Sequence, residues 1–362
     1  MIYEKIIRPL LFRNDPERAH EFASRFLQCL EHVPALPFLF REMNMVSHSL
    51  TEQTLWSLPF ENPVGLAAGM DKTGKTLPAW QMLGFGFLEA GGFTKNEQEG
   101  NPKPRMFRLT EDEAIINRMG FNNPGAEKAR EHFRKMRRLE VPLGINIGKS
   151  KDTPNEEAHD DYAYTFERLY PFGDFFVVNV SSPNTLGLRD LQAKSFLTGI
   201  LQAVRLKANR QPHKPRQRLK PILVKISPDL TSGELDEVLE VCSAEDISGI
   251  IAANTTTERK NLKSSVNETG GLSGPPLFER ALLFVRRIRT RLPSMPIIGV
   301  SGINSAHRAY EMIRAGANLV QIYTSLIYEG PGLPRRINAG LVALMEKAGT
   351  NIRSFSPNVK RD

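Results

Sequence analysis

Phe175-Phe176-Val177-Val178-Asn179-Val180-Ser181-Ser182-Pro183-Asn184-Thr185 is the stretch on which the fold turns, because an unbroken apolar run gives way at once to a serine pair between two carboxamides. Near-continuous apolar strands are those covered on both faces, as in parallel sheets. Parallel α/β proteins place their chemistry at the carboxyl ends of such strands. Ser, Pro and Asn are also ordinary turn formers, so the tetrapeptide taken alone reads first as a turn. The rest of the chain changes that reading. Similar runs occupy residues 64–68, 85–90, 143–147, 221–226, 249–253, 296–300 and 319–323, with segments between them long enough for crossover helices. Eight such units in 362 residues predict an α/β fold, a TIM (βα)8 barrel. An open doubly wound sheet shows the same alternation, and the eightfold repeat favours closure.

The intervening segments carry helix signals. Thr153-Pro154 precedes a helix over 156–169 with acidic residues in its first turn, and Ser232-Gly233-Glu234 opens one with Leu235, Val238, Leu239 and Cys242 on one face. The connection over 94–123 is too long for a plain helix. It reads as a lid or binding loop or as a small antiparallel excursion, with a short strand over 105–109.

Ahead of the barrel, Asp15 is placed to cap a helix that has Pro16 in its first position. Ala19, Phe22, Ala23, Phe26, Leu27 and Leu30 recur at helical spacing, and 36–40 continue the apolar character into a second short helix. Arg8, Arg13, Arg18, Arg25 and Arg41 lie nearby. Such a face packs on its own domain or enters a lipid interface, where apolar burial and basic side chains act together. The expected division is a helical extension over 1–48, a barrel over 49–348 and a tail over 349–362.

Composition narrows the function. The formal charge of +8 suits an acidic substrate, a phosphorylated cofactor or an anionic membrane, and equally nucleic acid. Basic residues cluster over 130–138 and 207–220, and the second of these segments lacks aromatic residues for base stacking, so no nucleic-acid partner is expected. Cys29 and Cys242 have no zinc-type spacing and are too few for a disulfide scaffold; a reducing compartment and no metal are expected. No signal-peptide pattern and no run of about 18 apolar residues occurs, so neither export nor a bilayer span is expected.

The strand ends carry the chemistry. Ala67-Ala68-Gly69-Met70-Asp71-Lys72 offers small residues against which a flat ring can lie, then a lysine for an anion or carbonyl. Asn146, Asn179, Lys225 and Asn254-Thr255-Thr256 end later strands. Each alone has a bland explanation as a loop residue, but a closed barrel would bring them to one mouth. Gly270 to Gly274, Gly299 to Ile303 and Tyr323-Thr324 follow in the order of a barrel's phosphate grip.

Taken together, residues 65–72, 117–123, 144–149, 179–185, 254–256 and 270–274 resemble the dihydroorotate dehydrogenases over nearly the whole chain. The opening Asp15-Pro16-Glu17-Arg18-Ala19-His20 and the helical extension resemble the class 2, quinone-using bacterial members on the cytoplasmic face of the inner membrane. The resemblance implies oxidation of dihydroorotate to orotate with FMN as immediate acceptor and a membrane quinone as final one, the fourth step of pyrimidine synthesis. It implies Ser182 as the catalytic base. Lys72, Asn117, Arg118, Met119, Gly120 and Phe121 match substrate positions, as do Asn179, Asn184, Asn254 and Thr255. Ala68, Gly69, Met70, Asp71, Lys72, Gly92 and Asn146 match cofactor positions; so do Asn179, Lys225, Ala253, Gly274, Gly302, Tyr323 and Thr324, with Lys225 by the electron-rich edge of the ring. A monomer is expected.

Some positions depart from the family's commoner pattern. Gly92 and Ala253 stand where many relatives carry threonine, Ser301 where glycine is frequent, and 94–98 replace a Pro- and Arg-rich loop. Two hydroxyl bonds to FMN would then be missing, at about 0.5–1.5 kcal/mol each. A soluble relative using fumarate or a nicotinamide would need no greasy extension and would carry cysteine at 182. A flavin-binding protein without catalysis would not need Ser182, Lys72 and Asn254 together.

Overall fold

The computed structural model describes residues 2–211, 219–260, 262–356 and 359. Residues 212–218 of the basic connection and 357–358 and 360–362 of the expected tail lie outside them.

Eight parallel strands form a closed barrel: β1 Val64–Leu66, β2 Phe87–Phe93, β3 Leu143–Ile147, β4 Phe175–Asn179, β5 Ile222–Lys225, β6 Gly249–Ala252, β7 Ile297–Val300 and β8 Leu319–Ile322. Each pairs with its neighbour in chain order, and β8 returns to β1 with Val320 opposite Val64, which rules out the open sheet. The strands follow the apolar runs, except that β2 continues through Gly91, Gly92 and Phe93.

Alternation along each strand splits the apolar residues into two sets. Phe87, Val177, Leu223, Ile251 and Ile298 fill the barrel interior, while Leu88, Ile145, Phe176, Val178 and Val224 pack outward under the helices. The interior is filled by large rings set against missing side chains. A Cβ on Gly65 would lie 2.3 Å from the Phe87 ring, and one on Gly144 2.4 Å from the Phe175 ring. Only glycine admits those phenylalanines.

An antiparallel hairpin, Gln53–Leu55 with Leu58–Phe60, plugs the amino end of the barrel. Phe60 meets Phe87 edge-on at 5.7 Å, and Trp56 lies over Phe175 and donates its indole N–H to Ser248 O. Strands of three residues carry too little period to be read from sequence. With its amino end shut, the barrel is accessible from the carboxyl end, where the candidate residues are.

The helices follow their signals. Thr231 and Glu234 form a capping box on the Ser232–Ala244 helix, whose Leu235, Val238, Leu239 and Cys242 are buried. The helix after Pro154 starts as a 3-10 turn, Asn155–Glu157, and continues as Ala158–Leu169. The antiparallel alternative for 94–123 is the one the chain adopts in its second half: Met106–Leu109 pairs with Ala114–Asn117, which pairs in turn with Gly271–Ser273. The glycine stretch at 270–274 is therefore largely strand, and only Ser273 and Gly274 of it reach the cavity described below.

The extension comprises a π-helical turn Tyr3–Ile7, then α1 Arg8–Phe12, α2 Pro16–Glu31 and α3 Leu36–Asn44. Asp15 Oδ1 accepts from Glu17 N and Arg18 N at 3.0 Å each, as its capping position requires. Tyr3 and Arg8 tie the start of the chain to Ile327 O and Tyr328 O. The apolar faces are only half used. Ala19 is buried, whereas Phe22, Phe26, Phe38, Leu39 and Met43 are each more than half exposed. Among the described residues, eleven of fifteen exposed large hydrophobics lie in 2–43, and no helix is long and apolar enough to cross a membrane.

Candidate active site

At the carboxyl rim lies a cavity of about 160 Å³. Period-two alternation and the abrupt polar ends of the strands put it there: the inward positions that hold Phe87 or Val177 low in the barrel hold polar groups at the top. Lys72, Ser182, Lys225 and Asn254 all line it, as do Asn117, Asn184 and Thr255. Ala68, Gly69, Gly92, Asn179 and Ala253 line it together with Gly274, Gly302, Tyr323 and Thr324, and Met119, Gly120 and Phe121 line it from the segment that follows the Ala114–Asn117 strand.

Four of the expected residues are placed elsewhere. Arg118 turns outward to Glu268 at 2.6 Å and over the Phe107 ring. Met70 lines a second cavity. Asp71 is buried as the acceptor for Thr73 N and Thr76 N, holding the turn that presents Lys72. Asn146 is fully buried beneath the cavity, bonded to Glu89 and Asn179.

The wall is a set of oriented polar groups. Lys72 Nζ donates to Gly69 O at 2.8 Å, and desolvation by the enclosing walls pulls its ammonium down to about 8, with Glu17 and Asp71 opposing. Asn184 Nδ2 donates to Asn117 Oδ1 at 3.1 Å, which leaves Asn184 Oδ1 buried and without a partner. Ser182, 8% exposed, accepts from Asn184 N at 3.3 Å. Arg189, on the turn after the serine pair, donates to Ser181 O and Thr255 O and pairs with Asp229, clamping the two loops together.

The same wall suits a flat ring with an anionic tail. Ala67, Ala68, Gly69 and Ala253 present at most a methyl group, and Lys225 supplies a cation at the floor, 5% exposed. Gln321 Oε1 is buried and unpaired at that level, an acceptor waiting for a donor. Gly302, at φ +70, takes a left-handed turn that a side chain would spoil, since its Cβ would strike Phe278 at 2.6 Å. At the departures from the family pattern, Phe121 fills the space beside Gly92, 2.8 Å from where a Cβ would sit, and Ser301 Oγ donates to Ala253 O at 2.9 Å.

Glu89, Gln321 and Arg189 are not singled out from sequence, and Ser181 is read there only as half of the serine pair. A lone Glu or Gln inside an otherwise apolar strand run is a signal that could have found the first two, because a buried charge or amide demands partners.

The second cavity, about 380 Å³, lies between the extension and the barrel and is lined mainly by apolar side chains, among them Phe12, Ala19, Phe22, Ala23, Phe26 and Leu27 opposite Met70, Trp80 and Ile115. Tyr323 lines both cavities, and burial pushes its hydroxyl up to about 12. His20 also lines the second one; desolvation, reinforced by Lys72, holds its imidazole down at about 3 and therefore neutral. Glu17 and Arg105 pin α2 beside this cavity by a buried ion pair at 2.7 Å. Burial alone would raise the Glu17 carboxyl, but Arg105 and Lys103 outweigh it and hold it below the usual range. A depressed carboxylate stabilises above its unfolded pKa and loses that contribution as pH falls through the folded value. Limited proteolysis of the extension should therefore accelerate below about pH 4, and Glu17→Gln should show the fast rate already at neutral pH. A Glu17→Gln extension as resistant as the parent's would remove the pair from the docking.

A closed barrel with reactive groups gathered at its carboxyl rim defines a (βα)8 enzyme. The family model for dihydroorotate dehydrogenase matches residues 50–345. A protein of Gloeobacter violaceus named dihydroorotate dehydrogenase (quinone) is 49% identical over 347 residues, 95% of each chain, and one of the same name from Deinococcus deserti is 45% identical over 96% of this chain and 97% of its own. The ligand-free dihydroorotate dehydrogenase of Eimeria tenella superposes with a TM-score of 0.86 at 36% identity, covering 95% of this chain and 99% of that one. The chain belongs to the dihydroorotate dehydrogenase family and is an oxidoreductase acting on CH–CH donors.

Proposed function

We propose that this chain oxidises (S)-dihydroorotate to orotate with FMN in the rim cavity and passes the electrons to a membrane quinone. The observation that carries the reading is the meeting of Lys72, Ser182, Lys225 and Asn254 in one cavity that shares Tyr323 with a separate apolar one. When bound, FMN would supply both the acceptor for the hydride that leaves the substrate and the donor to the quinone.

The protein's part is binding, orientation and proton transfer. Lys72 holds the anionic substrate by charge. Asn184 Oδ1, the unpaired acceptor, takes an N–H of the substrate ring, while Asn117 and Asn254 present oriented carboxamides and Thr255 its hydroxyl. As the C–H bond to the departing hydride breaks, Ser182 Oγ accepts the proton from the neighbouring carbon, and the ring double bond forms between the two. A serine is a weak base, so the proton must pass on to water, and the donors on the substrate's carbonyls must stabilise the charge that grows there. Lys225 would place a cation against the bound flavin ring, and Gly274, Gly302 and Thr324 would hold its phosphate through backbone groups.

The extension over 1–48 forms the quinone entrance. Its exposed Phe22, Phe26, Phe38 and Leu39, with Arg13, Arg18 and Arg25 on the same segment, suit docking on an anionic leaflet, peripheral and on the cytoplasmic side of the inner membrane, by a monomer. The purified protein should be yellow and should bleach anaerobically on adding dihydroorotate. A properly bound flavin that stays oxidised would defeat the enzyme assignment.

A further inference from the structure

Glu89 takes no part in the chemistry above, yet it is a fully buried carboxylate directly beneath it. It points inward from β2, on the same face as Phe87. Asn146 Nδ2 from β3 donates to it at 2.6 Å, Gln321 Nε2 from β8 at 2.5 Å, and Lys225 Nζ from β5 stands 3.8 Å away. A charge in a barrel interior is costly unless it is paired and hydrogen-bonded, and here three other strands supply the partners.

The bonding does not stop there. Having given its N–H to Glu89, Asn146 accepts through Oδ1 from Asn179 Nδ2 at 3.0 Å. Asn179 Oδ1 accepts from Ser181 Oγ at 2.9 Å, and Ser181 Oγ accepts from Asn254 Nδ2 at 2.9 Å. Every link donates toward Glu89. A carboxylate oxygen without a proton can only accept, which sets the sense at Asn146 and Gln321, and the backbone N–H groups of Ser181 and Thr255, donating to Asn179 Oδ1 at 3.3 Å and Asn254 Oδ1 at 2.8 Å, hold the outer carboxamides in the same sense: turning any carboxamide over would place two donors or two acceptors face to face. By the same constraint Gln321 gives its N–H to Glu89 and keeps Oε1 free for the cavity's occupant.

We propose that Glu89 is a positioning residue that fixes which groups on the cavity wall donate and which accept, and that balances the Lys225 ammonium at its floor. The inference rests on the FMN and dihydroorotate assignment of the cavity, and it deepens that assignment by naming what orients the binding groups.

The test measures the potential of the bound flavin and the affinity for orotate in the holoenzyme. Glu89→Gln keeps the shape and removes the counter-charge of Lys225. The flavin should become easier to reduce, with the reduced-to-oxidised ratio at a fixed poise up by about tenfold, equivalent to about 30 mV for a two-electron couple. Glu89→Asp, which keeps the charge, should return the potential close to the parent's. Asn146→Ser leaves Glu89 and Lys225 in place and cuts the series toward Asn254; orotate affinity should fall by about tenfold with the potential unchanged. A Glu89→Gln flavin with the parent's potential overturns the proposal. So does Asn146→Ser with the parent's orotate affinity, and that arm decides the matter if Glu89→Gln does not fold. A purely structural Glu89 would lower flavin content and melting temperature in all three variants and move neither readout. A parent protein that fails to bind FMN fails at the earlier assignment, before any variant is compared.

Discussion

Replacing Ser182 by alanine is expected to slow reduction of the flavin by dihydroorotate by about 10²–10⁴-fold at neutral pH, the usual contribution of a positioned acid–base group. Ser182 stands at the cavity wall just past β4, its Oγ oriented by the Asn184 N–H. Alanine removes the only atom of that side chain able to receive a proton and leaves the backbone of the turn, which Arg189 holds through Ser181 O, undisturbed. Orotate affinity should be largely retained, because Lys72, Asn117, Asn184 and Asn254 carry binding. Stopped-flow reduction and a spectral titration with orotate separate the two quantities. An unchanged reduction rate would remove Ser182 from the proton transfer.

The second large effect is expected in the other half-reaction. Ala23 faces the apolar cavity from α2, so Ala23→Phe should obstruct it and slow quinone-driven reoxidation by about 10–10²-fold, as misplacement of a reactant by about 1 Å can do. Reduction by dihydroorotate should stay within about twofold of the parent, since the rim cavity is untouched. Deleting residues 1–45 should give the same split if the barrel survives. That deletion is the harsher experiment, because it uncovers Trp80, Leu83 and Met106 and leaves Arg105 without Glu17. Equal losses in both half-reactions for both proteins would make the extension structural.

The barrel was legible because its strands are covered on both faces and therefore stand out as apolar runs, each ending in a residue of a different chemical kind. The same density hid Glu89 and Gln321, which sit inside those runs; their partners come from β3, β5 and β8, and strand spacing says nothing of which side chains meet across an interior. Motif position did not separate Asn117, on the cavity wall, from Arg118, which faces Glu268. Asn117 ends its strand and Arg118 leaves it, and the side of that strand which carries Asn117 is covered by Gly271–Ser273, more than 150 residues away.

The extension shows the limit most clearly. Its helical spacing and the Asp15 cap are local, and so was the prediction of an amphipathic helix. Whether Phe22 and Phe26 are covered is not local, since an amphipathic stripe is the same whether it meets a core, a cavity or a membrane.

The order of residues thus determined by itself the eight strands, the caps and the chemical kinds available at each strand end, all of which depend on neighbours within a few positions. Tertiary structure alone decided the plugged amino end, the two cavities that share Tyr323 and the buried carboxylate to which Asn146 and Gln321 donate. Those features depend on which distant segments lie within a few ångströms of one another, and only closure of the barrel and docking of the extension set those distances.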